Sequence, residues 1–437
     1  NRYRTPDGWK TITERVERIG IADGTVDTLI VRDTIWGPRT ALVDSLPLVT
    51  RWVAQDPEAL DLRLLDLMEI ESVDAALDLA PTCGIPHQNF VVAGADGRIG
   101  WTIIGRVPRR VGIDGTVPTR WADGTRGWSG WLDPDEVPRH VFAPDGRVWT
   151  ANGRVTTHGN QRIIGYGDFA LGARAGVIRD ALRGLDRVDE TTLLDVQMVT
   201  RSPLMQRWYE RLRDVTGASP DPRHAAAARW FEDWTGGADA SSVAYRLSRF
   251  WRSEVSAAVY DRGLMRPARE AYGDWVQGAH REPVVWSLLQ SRPGWVPAPH
   301  ATWDDLERAA LDSVIAEWGD PETWAERTWG AYNTLVIEQP FASVLPDVLA
   351  RRLRMPRRAL DGDSYTARVQ WPSFGASERL VVAPGAEERG ILHLPGGNVA
   401  HPLSPDRLGD YDDWAEGRPT PLLPGPPEHT LRLQPVR

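Results

Sequence analysis

Few residues in this chain have both the type and the spacing for chemistry. Cys83 is the single cysteine, four residues before His87, so a thiol nucleophile with a nearby base is conceivable. However, PTCGIPH reads as a Pro/Gly-punctuated turn, and a lone cysteine usually packs as a small hydrophobe. The nine histidines are scattered, and none stands at metal-ligand spacing from another. The acidic pairs Asp304-Asp305 and Asp412-Asp413 fit helix starts or solvated faces better than general acid work. Asn152 lies in RVWTANGRV, where an Asn-Gly pair after a short β-type run ordinarily marks a hairpin turn. The motifs G-x-S-x-G, H-E-x-x-H, G-x-G-x-x-G and C-x-x-C are absent.

Composition excludes further classes. A net charge of −9 argues against a general nucleic-acid binder, which needs a basic excess. Lys10 is the only lysine, so all but one of the 51 basic residues are arginine. Schiff-base and Walker-type chemistry would have to fall on Lys10. The arginine bias is most simply genomic. No apolar run approaches the roughly 18 residues of a membrane span, and residues 1–20 lack the apolar core of a signal peptide.

The elements that would position these residues change texture along the chain. To about residue 155, short β-type runs alternate with Gly/Pro/Asp turns, broken by one helical stretch, DPEALDLRLLDLMEIESVDAALDLA. From about 172 to 330 the apolar spacing is three and four, as in TTLLDVQMVTRSPLMQRWYERLRDV and TWDDLERAALDSVIAEW. Strand-like runs then return (YTARVQW, ERLVVAP, GILHL), followed by a Pro-rich tail. This order suggests an α+β fold with three regions. Residues 1–171 form the first part of a core, 172–330 a large helical insertion, and 331–437 carry strands that rejoin the first sheet.

One resemblance carries the reading further. HQNFVVAGADGRIGWTIIGRVPRR (87–110) and GWSGWLDPDEVPRHVFAPDGRVWTANGRV (127–155) resemble two blocks of the penicillin acylase family. The family's t-A-N motif is met at Ala151 and Asn152, and its RA-x-x-I helix start at Arg174, Ala175 and Ile178. Near the end, GDSYTARVQWPSFGASERLVVAP and LPGGNVAHPLSPDRLGDYDDWAEG are similar to further family blocks, filled by Gly362, Asp363, Thr366, Arg379, Gly397, Asp410 and Trp414. Departures exist: Trp36 stands where the family often has histidine, GGNVA replaces GGQSG, and SPDR replaces SPHY.

The resemblance implies an N-terminal nucleophile hydrolase with an αββα sandwich, here partial, made as a self-cleaving precursor and exported to the periplasm or secreted. In that family the first residue of the larger subunit, usually serine, attacks an amide carbonyl while its own α-amine takes the proton. An α-amine pKa of about 7.7 to 8 suits that task. Asn1 cannot be this nucleophile, so the resemblance places it upstream, together with the small subunit that would be this chain's partner. A chain that starts here naturally and is catalytically dead is the alternative.

By the same resemblance Asn152 donates its side-chain N–H to the oxyanion, and Arg174 orients it with a permanent charge. No cofactor is implied for catalysis. A structural calcium is implied, with Asp168 as a candidate oxygen ligand. The substrate would be a small acylated amide, with neither nucleic acid nor membrane as partner. The 21 tryptophans and many acids leave open a carbohydrate-binding or glycoside-cleaving protein, and a non-catalytic binder of acylated ligands.

Overall fold

The computed structural model describes residues 1–43, 46–143, 146–167, 169–273, 280–399 and 401–435. It divides into two compact units. One comprises Asn1–Thr150 and Arg154–Phe169, the other Ala151–Gly153 and Ala170–Arg437.

The first unit is built from antiparallel strands. Thr13–Gly20, Val26–Thr34, Gly37–Val43 and Leu46–Val49 form a sheet in sequence order. His140–Phe142, Ile99–Ile104 and Gln88–Ala93 form a second sheet with Ile99–Ile104 in the middle. That central strand, IGWTII, is almost continuously apolar because both its faces are covered. Trp101 and Ile103 join a cluster with Val107 and Val137, whereas Ile104 packs with Ala80 and Cys83. The helix Val73–Leu79 lies so close to the strand that a Cβ on Gly100 would meet the Leu77 Cδ1 at 2.8 Å. Any larger residue there would force the Leu77 side chain to shift.

The helical stretch expected across residues 56–80 shortens to Val73–Leu79, preceded by 3-10 turns including Arg63–Glu69. Pro57 and the absence of a side-chain cap leave the early part unnucleated. Ser72 supplies the missing cap by accepting from the Ala75 N–H at 3.2 Å. Leu62 and Met68 consequently stay exposed.

In the second unit the three-and-four spacing becomes a packed bundle. Val243–Ser256 runs between Pro203–Gly217 and Trp303–Trp318, and the apolar face of each contributes to one core. Ser202, Ser242 and Thr302 cap the three helices through their hydroxyls. Tryptophans fill much of this core: Trp208, Trp251, Trp318, Trp324 and Trp329 are fully buried. Packing, rather than ligand stacking, accounts for them.

Buried charge is matched by arginine forks. Glu282 accepts from Arg252 at 2.6 and 3.0 Å and from the Trp208 indole at 2.7 Å. Glu307 lies between Arg211 and Arg292. The loop after residue 360 is tied to the bundle in the same manner. Asp363 accepts from Arg249 Nε at 3.0 Å and the Tyr245 hydroxyl at 2.9 Å. Gly362, at φ +104°, precedes it where a Cβ would strike the Arg368 carbonyl oxygen at 2.3 Å.

The sequence led us to expect the last strands in the first sheet. The structure instead pairs each with a neighbour as a short ribbon: Thr334–Leu335 with Arg358–Ala359, Gln370–Trp371 with Phe374–Gly375, and Arg379–Val381 with Ile391–His393. Buried Arg379 locks the last ribbon to the Tyr411–Glu416 helix. It donates to the Trp414 carbonyl at 2.8 Å, lies 5.2 Å from the Trp414 ring centroid, and is pushed down to about 10 by burial. Of the residues carrying the family resemblance, Gly362, Asp363, Arg379 and Trp414 thus hold the chain together.

Replacing Asp363 by Asn should destabilise the protein by about 3–5 kcal/mol in urea unfolding, because it leaves the Arg249 charge buried without its counter-ion. A second outcome concerns pH. His393 is buried, with Nε2 donating to the Arg418 carbonyl at 2.7 Å and Nδ1 facing Arg379 at 3.2 Å. Burial first, and the Arg379 charge second, hold its pKa below the ordinary 6.5. The unfolded chain therefore binds the proton more readily. The stabilisation is complete above pH about 6.5 and is lost as pH falls below it. His393→Gln should flatten that slope in unfolding measured from pH 5 to 7.

Candidate active site

The turn bearing Asn152 is no hairpin. Residues 146–150 are not a strand, and the next described element is the helix His158–Ile164. Ala151 and Asn152 are both left-handed, with φ of 53° and 59°. For a residue with a Cβ this conformation costs about 1–2 kcal/mol, least for asparagine, so Ala151 carries real strain. Such strain persists only where surrounding contacts impose it.

Those contacts come from the start of the second unit. The Ala170 N–H donates to the Asn152 carbonyl at 2.9 Å. Arg174 Nη2 donates to the Asn152 side-chain oxygen at 2.8 Å. A guanidinium has no acceptor, so the amide atom facing it must be Oδ1, and the Nδ2 hydrogens point elsewhere. Among the described residues none accepts from Nδ2, and the Asn152 side chain is exposed. The arrangement presents a fixed N–H donor with no internal use.

Arg174 is the second residue of the helix Ala173–Arg183, whose N-cap is Gly172 and whose first turn holds no acid. A cation there opposes the helix dipole, by roughly 0.3–1 kcal/mol at an exposed site. Helix stability therefore does not explain this residue. It is half-buried, burial lowers its pKa from the ordinary guanidinium range, and among the described residues no carboxylate pairs with it. Its charge is left to act on Asn152 and on whatever Asn152 binds.

The other candidates fall apart from this pair. Cys83 is fully buried, its Sγ lies 3.7 Å from the Leu79 carbonyl, and burial raises its pKa, the reverse of what a nucleophile needs. Asp168, the candidate calcium ligand, lies outside the described residues. Among the described residues one group has metal-like spacing, Asp221, His224 and Asp312. Arg223 already bridges its two carboxylates at 2.6 Å each, and His224 spends its ring nitrogens on Ser219 at 2.7 Å and Asp312 at 3.2 Å. This is a clamp between helices, with both carboxylates already engaged. The clasp of the Asn152 carbonyl by Ala170 was missed from the sequence, since no side chain signals it.

A larger set of relationships fits this geometry. The thermostable penicillin G acylase from Alcaligenes faecalis superposes with a TM-score of 0.63 at 17% identity, covering all of this chain and 84% of that one. The architecture is thus the α+β, αββα type of the N-terminal nucleophile hydrolases. The pattern of the penicillin amidase family matches residues 1–428, and the chain belongs to that family. Penicillin acylase 2 proenzyme of Pseudomonas sp. (strain SE83) is 24% identical over 440 residues, covering 95% of this chain and 54% of that protein. The acyl-homoserine lactone acylase QuiP of Pseudomonas putida is 33% identical over 400 residues, covering 81% of this chain and 46% of that protein. The chain spans about half the length of these curated relatives.

Arg174→Gln should leave stability within about 1 kcal/mol of the parent, because it also removes an unfavourable charge from the helix start. Chemical denaturation checks this, and a large loss would mark Arg174 as a structural residue.

Proposed function

We propose that this chain is the large-subunit part of an amide hydrolase that removes an acyl group from a small acylated amide. The Arg174-to-Asn152 hydrogen bond carries this reading, because it leaves a preorganised N–H donor facing outward. The relatives are both named acylases, one for penicillin and one for acyl-homoserine lactones, and an acyl amide is the substrate class proposed here.

In the proposed reaction an N-terminal serine, contributed by polypeptide outside these 437 residues, adds to the amide carbonyl. Its own α-amine takes the hydroxyl proton. The carbonyl π pair moves to oxygen, and the resulting oxyanion accepts from Asn152 Nδ2. Arg174 keeps the amide from rotating and adds positive potential, which also disfavours protonation of the attacking amine. As the tetrahedral species collapses, the C–N bond breaks and the α-ammonium returns its proton to the leaving amine. Water then cleaves the acyl-serine by the same sequence. Protein groups perform every step, and a calcium held in part by Asp168 would serve the fold.

The small subunit of the same precursor is the proposed partner, and export to the periplasm or beyond the proposed location. In the full-length protein Asn152→Ala should lower kcat by about 10² to 10³-fold with little change in KM, since the oxyanion exists only in the transition state. Turnover of chromogenic phenylacetyl and long-chain acyl amides reads this out. Unchanged kcat would return Asn152 to being a turn.

A further inference from the structure

Three half-buried tryptophans of the first unit, Trp36, Trp121 and Trp128, follow one another with ring centroids 6.3 Å apart at each step. They line a cavity of about 630 Å³ that lies wholly within that unit. A cavity of this size takes a small organic molecule. Trp36 is also where the chain departs from the family pattern, which often has histidine there, so this wall is a property of the present protein.

The rest of the lining carries cations without acids. Although the chain has a net charge of −9, no described aspartate or glutamate lines the cavity, whereas Arg51, Arg110 and Arg120 do. Arg51 is neutralised by Asp56, whose two oxygens accept from its Nη2 at 2.7 Å. Arg110 has no such partner among the described residues, and burial alone moves its pKa, downward. Its Nη1 donates to the Ile163 carbonyl at 3.2 Å and the Ile164 carbonyl at 3.1 Å, which anchors the guanidinium, while nothing described accepts from Nε or Nη2. Those two nitrogens are an edge that grips a carboxylate through two parallel hydrogen bonds. Gly115 and Gly165, both at positive φ, flank that edge without side chains: a Cβ would stand 3.7 Å from Nε at the first and 2.5 Å from Nη2 at the second. Arg120 is exposed, and among the described residues no carboxylate pairs with it.

A partly desolvated guanidinium with a free edge attracts an anion, and an aromatic wall beside it favours an anion with an apolar body. We propose that this cavity binds an organic carboxylate, with its apolar or aromatic body against Trp36, Trp121 and Trp128 and its carboxylate on the Nε and Nη2 edge of Arg110. Arg120 adds a second, solvent-facing positive charge. The proposal goes beyond the amide hydrolysis and does not depend on it. The same chemistry fits a free organic acid and an acyl amide that carries a carboxylate elsewhere in the molecule.

Isothermal titration calorimetry of the full-length protein with phenylpropionate, its neutral counterpart phenylpropanol, and acetate tests this without any turnover. Phenylpropionate should bind about ten-fold or more tighter than the alcohol, the worth of a hydrogen-bonded charge, and acetate should bind weakest. Equal binding of acid and alcohol would overturn the proposal, as would acetate binding as tightly as phenylpropionate. Those comparisons use the unmutated protein, so they stand even where Arg110→Gln, which loses the Ile163 and Ile164 contacts, fails to fold. In folded variants Arg110→Gln should erase the preference for acid over alcohol, and Arg120→Gln should reduce it several-fold. Acid binding that both substitutions leave unchanged would place the ligand elsewhere and sink the site. Amide turnover then sorts the source of the carboxylate: competitive inhibition by phenylpropionate, weakened in Arg120→Gln, assigns it to the substrate, and turnover that the acid leaves unchanged assigns it to a separate ligand. A protein that binds the acid and hydrolyses no amide counts against the proposed reaction and leaves the cavity's role standing.

Discussion

The charge of Arg249 has to be matched inside the helical unit, and Asp363 matches it. A carboxylate taken out of water is tolerated only when its oxygens are filled. Asp363 fills its own with Arg249, the Tyr245 hydroxyl, and the Ser364 N–H at 2.6 Å. The loop that delivers it is held in turn, since the Gly362 N–H donates to the Ala238 carbonyl at 2.7 Å and the Gly362 carbonyl receives the Trp329 indole at 2.8 Å. The central helix, the loop and the start of Trp329–Tyr332 are thereby one rigid body. The helix Ala173–Arg183 packs against Glu190–Gln197 and Pro203–Gly217 of that same unit. The aim of Arg174 on Asn152 inherits its precision from that packing.

This explains what the sequence could and could not disclose. Periodicity locates Pro203–Gly217, Val243–Ser256 and Trp303–Trp318 because each buries an apolar face in a common core. It misleads at residues 56–72, where apolar residues are frequent but Leu62, Leu65 and Met68 stay exposed and no side-chain cap precedes Ser72. β-branched content suggests a strand at 146–150, where the structure has none. The family resemblance assigns chemistry to Asn152 and Arg174 but gives Asp363 and Arg379 no role, so it does not set them apart as the pair that locks the fold. Burial and hydrogen-bond direction make that separation, and neither is written in residue type.

Arginine in place of lysine has a structural use here, whatever its genomic origin. Arg252 divides its fork between Glu282 and the Tyr365 hydroxyl, and Arg379 donates to Trp414 while lying over its ring. Lysine, a single point charge, cannot make these split contacts. The same geometry makes Arg174 a director: a planar donor fixes which end of the asparagine amide faces it, whereas a flexible ammonium fixes it less firmly.

The left-handed backbone at Ala151 has a consequence for anyone improving this protein by heat challenge. Glycine would relieve the strain at this position and raise tolerance to temperature, so a screen that scores survival alone will favour it. The same change frees the residue next to Asn152 to sample other conformations, and an asparagine that wanders is a poorer host for a transient negative charge. Robustness and reactivity are set against each other at one peptide unit.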